Sequence, residues 1–122
     1  MDLYTETILD HYQTPHNAGE ISDHTTRIVE ANSLCGDTIQ LDLKIKKGTI
    51  VEVGFVGNGC AISQASMSLL SDEIKGKKIS SLKKMKSQKV YQLLQVPISP
   101  GRVKCALLGF SALQQALLKI KK

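Results

Sequence analysis

Residues 38–46 alternate without a break, with Ile39, Leu41, Leu43 and Ile45 on one side of an extended chain and Gln40, Asp42, Lys44 and Lys46 on the other. Successive side chains of a strand point to opposite faces, so this period of two predicts a strand with one buried and one solvated face. Lys47-Gly48 interrupts the pattern and Val51, Val53 and Phe55 resume it, which predicts a tight hairpin. Its register is strongly specified, because a slip of one residue would turn the whole apolar row to water. A lone hairpin does not hold together in water, so the row demands a third strand and a cover. Residues 27–31 are the candidate third strand, in an antiparallel sheet.

Helices supply the cover. Beyond Cys60 the apolar period changes to that of a helix, with Ile62, Ala65, Ser66, Leu69, Leu70 and Ile74 on one face and Gly76 as its end. Leu3, Tyr4, Ile8, Leu9 and Tyr12 predict a short amphipathic helix before a break over residues 14–19. Leu82, Met85, Val90, Leu93 and Leu94, set among lysines, predict one or two short helices. Ser99-Pro100 has the form of an N-cap and first helical residue, and Val103, Ala106, Leu107, Phe110, Leu113, Leu117 and Ile120 make a long apolar stripe after it. The 122 residues suit one domain, 1–122, of the α+β class: a small three-stranded antiparallel sheet with helices packed on one face.

Three cysteines, Cys35, Cys60 and Cys105, fall at the boundaries of these elements, which the fold can bring to one end of the domain. An odd number of thiols argues against a finished disulfide framework. A single cysteine is most often a small hydrophobe. Here Asp37 follows Cys35 at a spacing of two, glycines bracket Cys60 at a helix N-terminus, and Arg102 and Lys104 flank Cys105. Each setting favours a thiolate. Three thiolates and a carboxylate form the ligand set of a closed four-coordinate zinc or iron site, whose net negative charge Arg102 and Lys104 can offset. His11 and His16 lie near the N-terminal helix and read as surface or capping residues, and His24 as a loop residue.

Composition narrows the alternatives. Aromatics make up 4% of the chain and Trp is absent, which speaks against a nucleic-acid binder that stacks bases. No apolar run approaches the roughly 18 residues of a membrane span, and the first residues carry acids rather than a basic leader. A cytoplasmic protein with reduced thiols is therefore expected, with no membrane partner. All eleven acids lie at or before Glu73, so residues 1–73 carry −7 and residues 74–122 carry +12. Such a charge run serves as a solvated face or as a surface for an acidic protein partner. A small structural zinc domain would use the same four ligands. The serines lack a positioned base, and the glycines around Asn58 lack a phosphate-loop ending.

Four segments together resemble the IscU, SufU and NifU N-terminal family of iron–sulfur cluster assembly proteins: Ile8-Leu9-Asp10-His11-Tyr12 with Pro15-His16-Asn17, Cys35-Gly36-Asp37, Gly57-Asn58-Gly59-Cys60-Ala61-Ile62-Ser63, and Arg102-Val103-Lys104-Cys105-Ala106. The resemblance implies a scaffold that accepts persulfide sulfur from a cysteine desulfurase of the IscS or SufS type. It implies Cys35, Asp37, Cys60 and Cys105 as ligands of Zn2+ or of a transient 2Fe–2S cluster, and a downstream iron–sulfur carrier or apoprotein as acceptor. IscU-type members carry histidine directly before the third cysteine, where this chain has Lys104, as SufU-type zinc-dependent sulfurtransferases do. The compact interval from Cys60 to Cys105 is of the IscU kind, so the subtype stays open. The chaperone signal of IscU-type members is not intact in residues 96–100. Cys60 and Cys105 are tied to helices, whereas Cys35 sits in a loop beside a glycine, so Cys35 is the expected persulfide carrier in a SufU-like mechanism. Cys105 is the alternative in an IscU-like one.

Overall fold

A computed structural model describes residues 6–32, 36–95 and 98–120. Strands β1 (Thr26–Asn32), β2 (Asp37–Lys46) and β3 (Thr49–Asn58) form an antiparallel sheet in the order β1-β2-β3. Lys47 and Gly48 both have positive φ, 53° and 77°, the combination that joins β2 to β3 in a two-residue hairpin without splaying the strands. Leu41 stands opposite Ile28 on one side and Phe55 on the other, and Leu43 opposite Val53. Ile39, Leu41 and Leu43 are fully buried. Ile45, at the hairpin end of the row, is half-buried; the register shift there leaves Val51 of β3 without a partner and puts the fully buried Ile50, rather than Val51, opposite it.

Helices α1 (Glu6–Gln13), α2 (Ala61–Ile74), α3 (Ile79–Leu82), α4 (Gln88–Leu94) and α5 (Val103–Lys119) follow the expected order. The fold is α+β, with α5 over β1 and β2, α2 over β3, and α1 against α2. α2 is buried nearly all round, and its serines make that possible. Ser66 donates to the backbone oxygen of Ala106 at 2.6 Å, joining α2 to α5 where a larger side chain would hold the helices apart. Gly109 on α5 faces Met67 so closely that a Cβ there would stand 2.7 Å from the Met67 sulfur. Ser99 does not cap a helix with its side chain. It precedes a 3-10 turn over Pro100–Arg102, and α5 begins only at Val103.

One face of the sheet departs from the sequence expectation. Asp42, assigned to the solvated row, is fully buried. The segment after α1 first pairs with the free edge of β3, where Gly19 donates to the Phe55 oxygen at 2.8 Å and Phe55 to the Asn17 oxygen at 3.1 Å, and then turns over that face. Gly54 leaves the space, since a Cβ there would meet the Gly19 oxygen at 2.5 Å. Asp42 accepts from Arg27 at 2.7 and 2.9 Å and from the Ile21 backbone at 2.9 Å. Burial alone would raise its carboxyl pKa, but these donors outweigh it and hold the group below its ordinary value.

Candidate metal centre

β1 ends at Asn32, β2 begins at Asp37 and β3 ends at Asn58, so all three strands have an end at the same edge of the sheet. Asp37 shares the face of Ile39, Leu41 and Leu43, which aims its side chain under the helices rather than to water. It is 2% exposed. Cys60 occupies the N-cap of α2 in an extended conformation and makes no side-chain cap there, leaving its sulfur to other partners. Cys105 lies in the first turn of α5 and is buried.

These side chains converge. A carboxylate oxygen of Asp37 and the sulfurs of Cys60 and Cys105 all lie within 4.8 Å of one another. The Cys60 backbone N–H donates to Asp37 Oδ1 at 3.3 Å, and the Cys60 sulfur is 3.7 Å from Oδ2. With metal–sulfur and metal–oxygen bonds of roughly 2.3 and 2.1 Å, tetrahedral ligands stand roughly 3.3–3.8 Å apart, so the Cys60–Asp37 pair already has that spacing. Two soft thiols and one hard carboxylate from three separate elements fit zinc or ferrous iron. Gly59, at φ 156°, is required for this approach, because a Cβ would overlap the Asp37 carboxylate.

Two further side chains support the centre and were not singled out in the sequence. Asn32 Nδ2 donates to the Cys105 sulfur at 4.0 Å. Ser63 donates to the Cys60 oxygen at 3.0 Å and stands 3.9 Å from its sulfur. The pairing of Asn32 with Asp37 across β1 and β2 puts Asn32 in place. That pairing is the signal that could have found it.

Asp37, Cys60, Cys105 and Arg102 border a single depression of about 530 Å3. That is far more room than an ion needs. Lys104 is exposed and does not border the depression, so of the two expected cations Arg102 is the one at the centre. Cys35 lies outside the described residues. Its neighbour Gly36 has φ 74°, a left-handed conformation that glycine adopts without strain. In the basic half, Lys77 and Lys89 reach back to Glu73 at 2.9 and 3.4 Å, while Lys83, Lys84 and Lys86 are exposed.

The NifU-like N-terminal domain family matches residues 3–122, the three converging side chains included. This chain belongs to that family. It is 36% identical to the zinc-dependent sulfurtransferase SufU of Bacillus subtilis, over 96% of this chain and 90% of that protein. It is 33% identical to the iron–sulfur cluster assembly scaffold protein IscU of Thermotoga maritima, over 98% of this chain and 96% of that one. The crystal structure of the FiSufU protein of Fervidobacterium islandicum superposes with a TM-score of 0.79 at 29% identity, over 94% of this chain and 96% of that one. Among the described residues no helix is long and apolar enough to cross a membrane.

Proposed function

We propose that this chain accepts sulfur from a cysteine desulfurase at a metal centre formed by Cys35, Asp37, Cys60 and Cys105, and hands it on in iron–sulfur cluster assembly. The observation that carries the reading is the convergence of Asp37, Cys60 and Cys105 within 4.8 Å in a member of this family. Residues 1–122 act in it as one domain, in the cytoplasm. The exposed lysines of the basic half offer an acidic partner a complementary face.

Bound Zn2+ would keep the ligating thiols ionised at neutral pH. The chain's own residues do the rest. Cys105 is buried in α5 and Cys60 is held by its backbone N–H to Asp37, so Cys35 is the thiol proposed to meet the donor. The Cys35 thiolate attacks the outer sulfur of the donor's cysteine persulfide. A new S–S bond forms as the donor's S–S bond breaks, and the donor cysteine leaves as a thiolate that takes a proton from solvent. No external oxidant or reductant is needed. Arg102, at the rim, offsets the negative charge that gathers there. With the metal bound, Asp37 would be the ligand most readily exchanged, because a carboxylate binds a borderline metal less firmly than a thiolate does.

A second reading, in which the chain builds a 2Fe–2S cluster as cargo for a downstream carrier or apoprotein, is favoured by the scaffold relatives and the compact interval between Cys60 and Cys105. One experiment separates the two. The protein is incubated with desulfurase and cysteine, alkylated, and mapped by peptide mass spectrometry. Extra sulfur on Cys35 supports the transfer reading, extra sulfur on Cys105 with Cys35 unmodified supports the scaffold, and no sulfur on either overturns both.

A further inference from the structure

A second group of ligating side chains stands at the other end of α2. His11 on α1, His16 in the segment after it and Asp72 on α2 bring one ring nitrogen each and a carboxylate oxygen within 4.8 Å of one another. Asp72 follows Cys60 by twelve residues, about 18 Å along a helix axis, so the two groups cannot share an ion. We propose that His11, His16 and Asp72 form a second, exchangeable site for a divalent first-row transition-metal ion, separate from the thiol centre.

The donor chemistry selects the ion class. Two imidazoles and a carboxylate, with no sulfur, suit Zn2+, Co2+, Ni2+ or Cu2+, and three ligands leave positions open to water. The imidazoles are already seated. Ser68, fully buried, has its hydroxyl 2.6 Å from His11 Nδ1 and accepts from the His16 backbone N–H at 2.8 Å. The two rings stand 4.2 Å apart between centroids.

Asp72 is oriented from the other side. Asn17, at φ 60°, donates its side-chain N–H groups to Ser71 Oγ at 2.8 Å and to Asp72 Oδ1 at 2.9 Å. This leaves Oδ2 toward His16, whose Nδ1 is 2.6 Å away. An entering ion takes the place of the hydrogen bond between those atoms, with the neutral His16 ring carrying its proton on Nε2 and Nδ1 free to ligate. His16 and Asp72 are about half exposed, 46% and 47%, so an ion has a path from solvent and need not cross the core.

The test uses the full chain with the thiol centre first filled by one equivalent of Zn2+, then titrated with Co2+ under visible absorption. The expected result is one further Co2+ per chain with weak d–d bands and no thiolate-to-cobalt charge-transfer band. His16→Gln and Asp72→Asn, both at half-exposed positions, are expected to weaken that second equivalent by roughly tenfold or more and to leave the zinc equivalent in place. The proposal is overturned if no second equivalent binds, if both variants bind it as the parent does, or if it brings a thiolate band.

Discussion

Asp37 and Asp42 are both buried on β2, five residues apart and therefore on opposite faces of the sheet, yet the fold holds them to different standards. Asp42 receives a two-pronged Arg27 at 2.7 and 2.9 Å and a backbone N–H at 2.9 Å. Asp37 is met by a backbone N–H at 3.3 Å and a thiol at 3.7 Å. A carboxylate saturated by its own chain is a structural group. One that is buried but loosely met, beside two thiols, is placed for a cation from outside. The difference separates two uses of the same residue type on one strand: Asp42 fastens the crossing segment to the sheet, and Asp37 is the one proposed as a metal ligand.

The largest effect that could break this contrast is on stability. Arg27→Met removes two donors from the fully buried Asp42, and the protein should lose stability in urea unfolding, by more than any other substitution named below, while each folded chain keeps its metal. Acid gives the same answer without a cavity. Asp42's pKa is lowered in the fold, so its contribution is fully present above the ordinary carboxyl value of 3.8 and is lost as pH falls through the lower folded value. Asp42→Asn should remove that component of the acid-unfolding profile.

Asp37→Asn should show the opposite balance. Compared metal-free, its unfolding free energy should stay within about 1 kcal/mol of the parent's, in the range of substitutions that break no tight network. Its metal affinity, read by chelator competition, should fall by more than the roughly 10–100-fold that removal of an outer partner of a metal ligand costs. Gly59→Ala should reproduce the metal loss from the backbone side, through overlap with the same carboxylate. If Asp37→Asn unfolds the protein instead, the two aspartates are alike and the contrast fails.

The smallest effect is at Asn32. Asn32→Ala removes a long donor to the Cys105 sulfur and should make metal loss to a chelator only several-fold faster.

The hairpin, α2 and α5 were legible because each rests on an apolar row whose period is local to the chain. The convergence of Asp37, Cys60 and Cys105 was legible for a related reason: boundaries of consecutive elements in a small α+β fold collect at one edge. Asp42 was misread because alternation reports which residues share a face, not whether another segment crosses that face. Residues 17–21 carry no periodic signal, and only Gly54 hints at the close approach. The His11, His16 and Asp72 group was missed for the same kind of reason, since His16 and Asp72 are separated by 56 residues and meet only after α1 packs on α2.

The central claim is that the thiol end of α2 holds one metal through three sulfurs and one oxygen. X-ray absorption at the zinc edge, on protein carrying one equivalent of Zn2+, reads that ligand set directly. The account predicts three sulfur scatterers near ~2.3 Å and one oxygen near ~2.0 Å, reduced to two sulfurs or to no bound zinc in Cys60→Ser. A first shell of nitrogen and oxygen with the outer scattering of imidazole, unchanged in Cys60→Ser, would place the ion at the histidines and contradict it.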